Sequence, residues 1–180
     1  MSSEQDIKEI VAIIGAAYPN FTPTAHTVEI YYQTLKDIES DELRIAVLHC
    51  VSEAGRKFAP SVGEIRGAIS ELRQAVRNIP DAYQAWQEVW KGITTTGSWG
   101  EPKWSNPLIE KAVDSLNWRN LCMSENSISD RARFVEAYDG FLARAQREDM
   151  FLPQVKTYIE SKGGKMLGAP IETKQLEVET

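Results

Sequence analysis

The side chains from which hydrolytic, redox and metal centres are built are sparse in this sequence, and their spacing does not suit such work. Two histidines and two cysteines are the good soft-metal ligands. His49 and Cys50 are adjacent, so on a helix they point to different sides and cannot chelate one ion. No serine stands in a Gly-x-Ser-x-Gly elbow. The paired acids Asp41-Glu42 and Glu148-Asp149 read as solvated helix ends. Gly163-Gly164-Lys165 lacks both the leading glycine and the following Ser or Thr of a phosphate loop. The expectation is a chain with no catalytic set, no metal, no cofactor and no ATP chemistry.

What remains is the chemistry of binding. Arg66, Arg73 and Arg77 are spaced seven and four apart, which at about 100° per residue aligns them in one stripe of a helix, beside its apolar seam. Such a stripe can meet phosphates or an acidic protein face, or serve as a solvated flank. Trp99 and Trp104 lie in a segment, Thr94 to Pro107, whose glycines and prolines cannot propagate a helix. A ring with an indole N–H is a favoured interface anchor, and the alternative is that both rings fold down as lids on a helical cluster.

The elements that must position these residues are all helical. Ser3 caps a first helix from Glu4 to Ala17 with Ile7, Ile10, Val11 and Ile14 on one side. Thr24 caps a second with Val28, Tyr31, Leu35 and Ile38 inward. Ser40 or Asp41 restarts a third, about Asp41 to Ala54, ended by Gly55. Ser61-Val62-Gly63-Glu64 is a capping box opening a fourth from Val62 to about Arg77, with Val62, Ile65, Ile69, Leu72 and Val76 on its seam. After the stop at Asn78-Ile79-Pro80, a helix from Asp81 to about Ile93 presents Tyr83, Trp86, Val89, Trp90 and Ile93. Ser105 with Pro107 starts another carrying Leu108, Ile109, Ala112, Val113 and Leu116. Trp118 to Met123 reads as a turn, Ser129 to Glu148 as the longest helix, and Pro153 as the start of the last, ending near Lys162. The fold class is therefore all-α: a four-helix N-terminal bundle over 1–78, a second helical module over 79–162, and a flexible tail over 163–180.

Charge and composition narrow the partners. Twenty-six acids against twenty bases leave −6, so a general attraction to nucleic acid or anionic lipid is not expected. Residues 1–55 hold nine acids and three bases, whereas 56–80 hold five bases and two acids, so the positive charge is local. The two cysteines read as reduced small hydrophobes. No signal peptide and no run long enough to cross a bilayer is legible, which places the chain in the cytoplasm.

Some of these residues also carry a resemblance. Ala17-Tyr18-Pro19-Asn20-Phe21, then Tyr31-Tyr32-Gln33-Thr34-Leu35, then Phe58-Ala59-Pro60-Ser61-Val62-Gly63-Glu64-Ile65-Arg66 resemble the phage-encoded loader and inhibitor proteins of the replicative helicase, over roughly residues 4–72. The second half, with Ala85-Trp86, Pro107-Leu108, Trp118-Arg119-Asn120-Leu121-Cys122 and Asp130-Arg131-Ala132-Arg133-Phe134, looks like the downstream part of related phage replication proteins. The resemblance implies a non-catalytic adaptor in the host cytoplasm that binds the hexameric replicative helicase, restrains it, and delivers it to an origin-bound initiator, with direct nucleic-acid binding weak or absent. It also implies a flexible C-terminal region. Here the sequence departs, because residues 81–162 are aromatic and strongly periodic and should fold. The rival reading is a DNA-binding replication or regulatory module that lays the arginine face of helix four on the duplex backbone.

Overall fold

The computed structural model of the chain describes residues 1–167. The described residues form nine helices and no strand: α1 Glu4–Ala17, α2 Ala25–Leu35, α3 Ser40–Ser52, α4 Val62–Arg77, α5 Ala82–Thr95, α6 Pro107–Leu116, α7 Trp118–Met123, α8 Ser127–Met150 and α9 Pro153–Ser161. The chain divides into two compact units. One is Met1–Gln74 with Met150–Met166; the other is Ala75–Asp149, to which Leu167 also belongs. The flexible tail expected over 163–180 lies, from residue 168 onward, outside the described residues.

The caps that set the helix starts follow from side-chain oxygens meeting orphan amides. Ser3 Oγ accepts from Asp6 N–H at 3.2 Å while Asp6 accepts from the Ser3 N–H at 2.7 Å. Thr24 and Thr27 exchange the same pair of bonds at 3.2 and 3.1 Å, and Asp81 caps α5 by accepting from Gln84 N–H at 2.8 Å. Two starts differ from the expectation. Asn106, not Ser105, caps α6 by accepting from Leu108 N–H. Residues 118–123, expected as a turn, close a short helix, because Asn117 at φ 67° accepts from both Arg119 and Asn120 N–H groups. A side chain that satisfies two first-turn donors makes even a six-residue helix tenable.

In the first unit the seams of α1 to α4 close on Ile7, Ile10, Val11, Ile14, Leu35, Ile38, Leu43, Ala46, Val47, Cys50, Ile65 and Ile69. Val76, expected on the α4 seam, is 86% exposed; it lies past Gln74, where this unit ends. Two polar groups lock loops onto the core: the Tyr31 hydroxyl donates to the Pro60 carbonyl at 3.2 Å and Ser2 Oγ to the Ile38 carbonyl at 2.8 Å. The second unit has its own core, Ala85, Trp86, Val89, Leu108, Ile109, Ala112, Val113, Leu121, Phe134 and Tyr138. The Tyr138 hydroxyl donates to the Pro80 carbonyl at 2.6 Å, and burial pushes that phenol above its usual range.

Arg66 is the most heavily bonded side chain of the first unit. It is 7% exposed, and all five of its N–H donors are used. Nε donates to the Met150 carbonyl at 2.8 Å, Nη1 to the Thr34 carbonyl and Asp37 Oδ1 at 2.9 Å each, and Nη2 to Asp37 Oδ2 at 2.9 Å and the Phe151 carbonyl at 3.2 Å. Replacing it by methionine keeps the length of the stem but strands Asp37 and three carbonyls. Breaking a buried pair in this way costs about 3–5 kcal/mol. We expect Arg66→Met to lower urea-unfolding stability by about 3 kcal/mol, and Arg66→Lys to recover less than half of that loss, since an ammonium cannot fill a five-donor fork.

The capping box at α4 gives a pH signature. Glu64 accepts from the Ser61 N–H at 2.7 Å, from Ser61 Oγ at 2.8 Å and from Arg56 Nη1 at 2.7 Å. The Ser61 amide first, and then Arg56, hold its carboxyl down from the ordinary 4.5 to about 2. A carboxyl depressed by folding adds stability that is complete above 4.5 and disappears as pH falls through about 2. The stability gap between the wild type and Glu64→Gln should therefore be constant at neutral pH and close between those two values, as read by thermal melts across the acid range.

Candidate partner-binding surface

The three arginines singled out by spacing do lie along α4, but each meets a carboxylate of its own chain. Arg66 is engaged as described. Arg73 donates through Nε and Nη2 to the two oxygens of Glu42 at 2.6 and 2.8 Å, and Arg77 donates through Nη1 to Asp149 at 2.9 Å. The acids that neutralise the stripe come from distant positions, so sequence spacing alone does not reveal them.

The two tryptophans are treated differently by the fold. Trp104 is half-buried against the second core, with its ring edge-on to Trp118 at 5.6 Å. Both rings reach over Gly92, where an added Cβ would stand 3.1 Å from Trp104 Cη2 and 3.3 Å from Trp118 Cη2. The loop that carries Trp99 and Trp104 is tied to α5 by Glu88, which accepts from the Ser105 N–H at 2.6 Å and the Ser105 hydroxyl at 2.5 Å. It is also tied by Trp118 Nε1 donating to the Gly97 carbonyl at 3.2 Å. Trp99 stays out: it is 87% exposed, and the Arg119 guanidinium lies 4.8 Å over its ring. Trp99 thus leaves an indole backed by a cation on the outside of a tethered loop.

The structure adds a feature that the sequence reading did not single out. Tyr83, Trp86, Gln87 and Trp90 on α5 face Ser127, Ile128, Arg131, Ala132 and Val135 on α8 across an open groove of about 630 Å³. Trp86 and Phe134, with centroids 5.5 Å apart, join the two helices beneath it. Tyr83, Trp90 and Ile128 are exposed on its walls, and the Arg131 guanidinium sits 5.5 Å over the Tyr83 ring. The signal for it was present: α5 carries more large apolar residues than one core-facing stripe needs. Ala85, Val89 and Gly92 are buried, while Tyr83 and Trp90 project about 140° away around the helix.

Among the described residues no group of three His, Cys, Asp or Glu side chains could hold a metal ion. Burial pushes the thiols of Cys50 and Cys122 up, away from the reactive thiolate. No described helix is long and apolar enough to cross a membrane.

Gly92 tests the packing. The Gly92→Ala variant gains helix propensity, worth about 1 kcal/mol, but must displace two indoles. We expect the near-ultraviolet circular dichroism of the tryptophans to weaken while helix content, read in the far ultraviolet, holds.

Comparison with known proteins places a known domain in the first unit. Residues 2–66 match the family model for the N-terminal domain of a phage helicase loader/inhibitor protein. The match stops at residue 66 and says nothing of the downstream region. No curated protein and no solved structure matches the chain.

Proposed function

We propose that the chain is a non-catalytic adaptor that binds a hexameric replicative helicase, restrains it, and helps load it at an origin where an initiator protein triggers release. The observation that carries this reading is the loader/inhibitor domain over residues 2–66. In this proposal the module over 1–78 meets the initiator and the module over 79–162 docks on the helicase, all within the host cytoplasm.

The distribution of surface chemistry supports that division of labour. Arg66, Arg73 and Arg77 pair with carboxylates of the chain itself, which favours the adaptor over the duplex-backbone reading. The second unit exposes Trp99 and a row of aromatic and aliphatic side chains on α5 and α8, the composition favoured at the energetic centres of protein interfaces. Trp104, packed on the second core beside Trp118, is the less accessible of the two loop indoles, so in this proposal Trp99 is the foremost contact.

Size-exclusion chromatography of the full chain mixed with the hexameric helicase of its host tests the reading. Co-migration is expected, with Trp99→Ala weakening the complex by about tenfold, the loss of one modest hot spot. Absence of co-migration both with and without ATP overturns the adaptor function.

A further inference from the structure

The groove of the second unit has a shape that specifies its occupant more closely than the adaptor reading does. On α5 its wall is Tyr83, Trp86, Gln87 and Trp90; on α8 it is Ile128, Arg131, Ala132 and Val135. Each wall is an i, i+3, i+4, i+7 set, a stripe of two helical turns about 10 Å long. Trp86 alone among these eight also belongs to the core, which α5 otherwise meets through Ala85 and Val89 and α8 through Phe134 and Tyr138. Two helices that offer facing stripes of this kind, joined below by Trp86 and Phe134, make a valley into which the ridge of a third helix fits.

The charge of the valley is equally one-sided. Arg131 is the single ionised side chain among the residues that line it. The first turn of α8 contributes Ser127 and Ile128 to the same wall, while its one acid, Asp130, is buried, lies 3.7 Å from Arg133 and does not line the groove. The Arg131 guanidinium rests on the Tyr83 ring, an arrangement that holds the cation at the lip and leaves its N–H edge able to take a carboxylate.

We propose that this valley receives an amphipathic helix of a protein partner, two to three turns long, whose apolar stripe is flanked by a carboxylate that pairs with Arg131. A nucleic-acid strand is the weaker match, because a single guanidinium is no track for successive phosphates and the chain carries −6 overall. The inference rests on the adaptor reading only for which protein supplies the helix.

The test uses the full chain and three fluorescent probes in anisotropy titrations. One is a designed peptide of about four helical turns with leucines at i, i+3, i+4 and i+7 flanked by glutamates. The second is the same peptide with lysines in place of the glutamates, and the third is a single-stranded oligothymidine. The acidic peptide should bind about tenfold more tightly than the basic one, as one charge-assisted contact replaced by repulsion requires. Ile128→Glu should remove most of that binding, and Arg131→Glu should invert the preference between the peptides. Both positions are exposed, and melting temperatures equal to wild type verify that the variants fold. Equal binding of the two peptides, tighter binding of oligothymidine, or variants indistinguishable from wild type overturns the proposal. So does a dimer of the chain in sedimentation that Ile128→Glu dissolves, since the occupant would then be a second copy. The two readings fail separately. Co-migration with the helicase but no peptide binding sinks the groove and leaves the adaptor. Peptide binding as described without co-migration does the reverse.

Discussion

A guanidinium taken out of water must recover its hydration from the protein, and at Arg66 every one of its five donors does so. Asp37 supplies two acceptor oxygens, and the carbonyls of Thr34, Met150 and Phe151 supply the rest. The lost solvation of a buried charge runs to several kcal/mol, so such a site exists only where the acceptors are all in place. Thr34 belongs to the last turn of α2, Asp37 to the link into α3, and Met150 and Phe151 to the passage from α8 to α9. One side chain therefore fixes α2, α4 and a segment more than eighty residues further along the chain. The apolar core makes these helices associate, but this fork specifies how they are placed.

The same logic decides what the protein offers to others. A sequence segment with five bases and two acids looks like an anion-binding patch. In the folded chain Arg56 pairs with Glu53 and Glu64, Arg66 with Asp37, Arg73 with Glu42 and Arg77 with Asp149. The arginines function as connectors, most of them joining parts of the chain that the sequence holds apart. What faces outward in the second unit is instead aromatic: Trp99 over Arg119, and the walls of the α5/α8 groove. The domain that matches the loader/inhibitor family model is thus followed by a unit whose exposed chemistry is aromatic rather than basic.

The second unit shows how one composition serves two ends. Trp86, Trp104 and Trp118 pack inward or lie over the small Gly92, closing the core. Tyr83, Trp90 and Trp99 are exposed. Glu88 and Asn106 fasten the connecting loop, and without such ties an exposed indole would lose in ordering entropy much of what it gains in contact.

The all-helical fold was legible along the chain, because the 3.6-residue periodicity and the caps at Ser3, Thr24, Ser61 and Asp81 are local properties that no tertiary context overrode. Most of the core and the family resemblance of the first unit were legible too, since both are written in short runs of residues. Asn106 as the α6 cap and α7 as a helix were not, because there the outcome turns on the geometry of one side chain. The fate of the arginines and the aromatics was set by long-range packing. Whether Arg66 is a surface cation or a buried fork depends on Asp37 and Phe151 converging on it. Whether Trp90 lies in a core or on a groove wall depends on how α8 packs beside α5. Those are distances between residues remote in sequence, and no periodicity along a single helix encodes them.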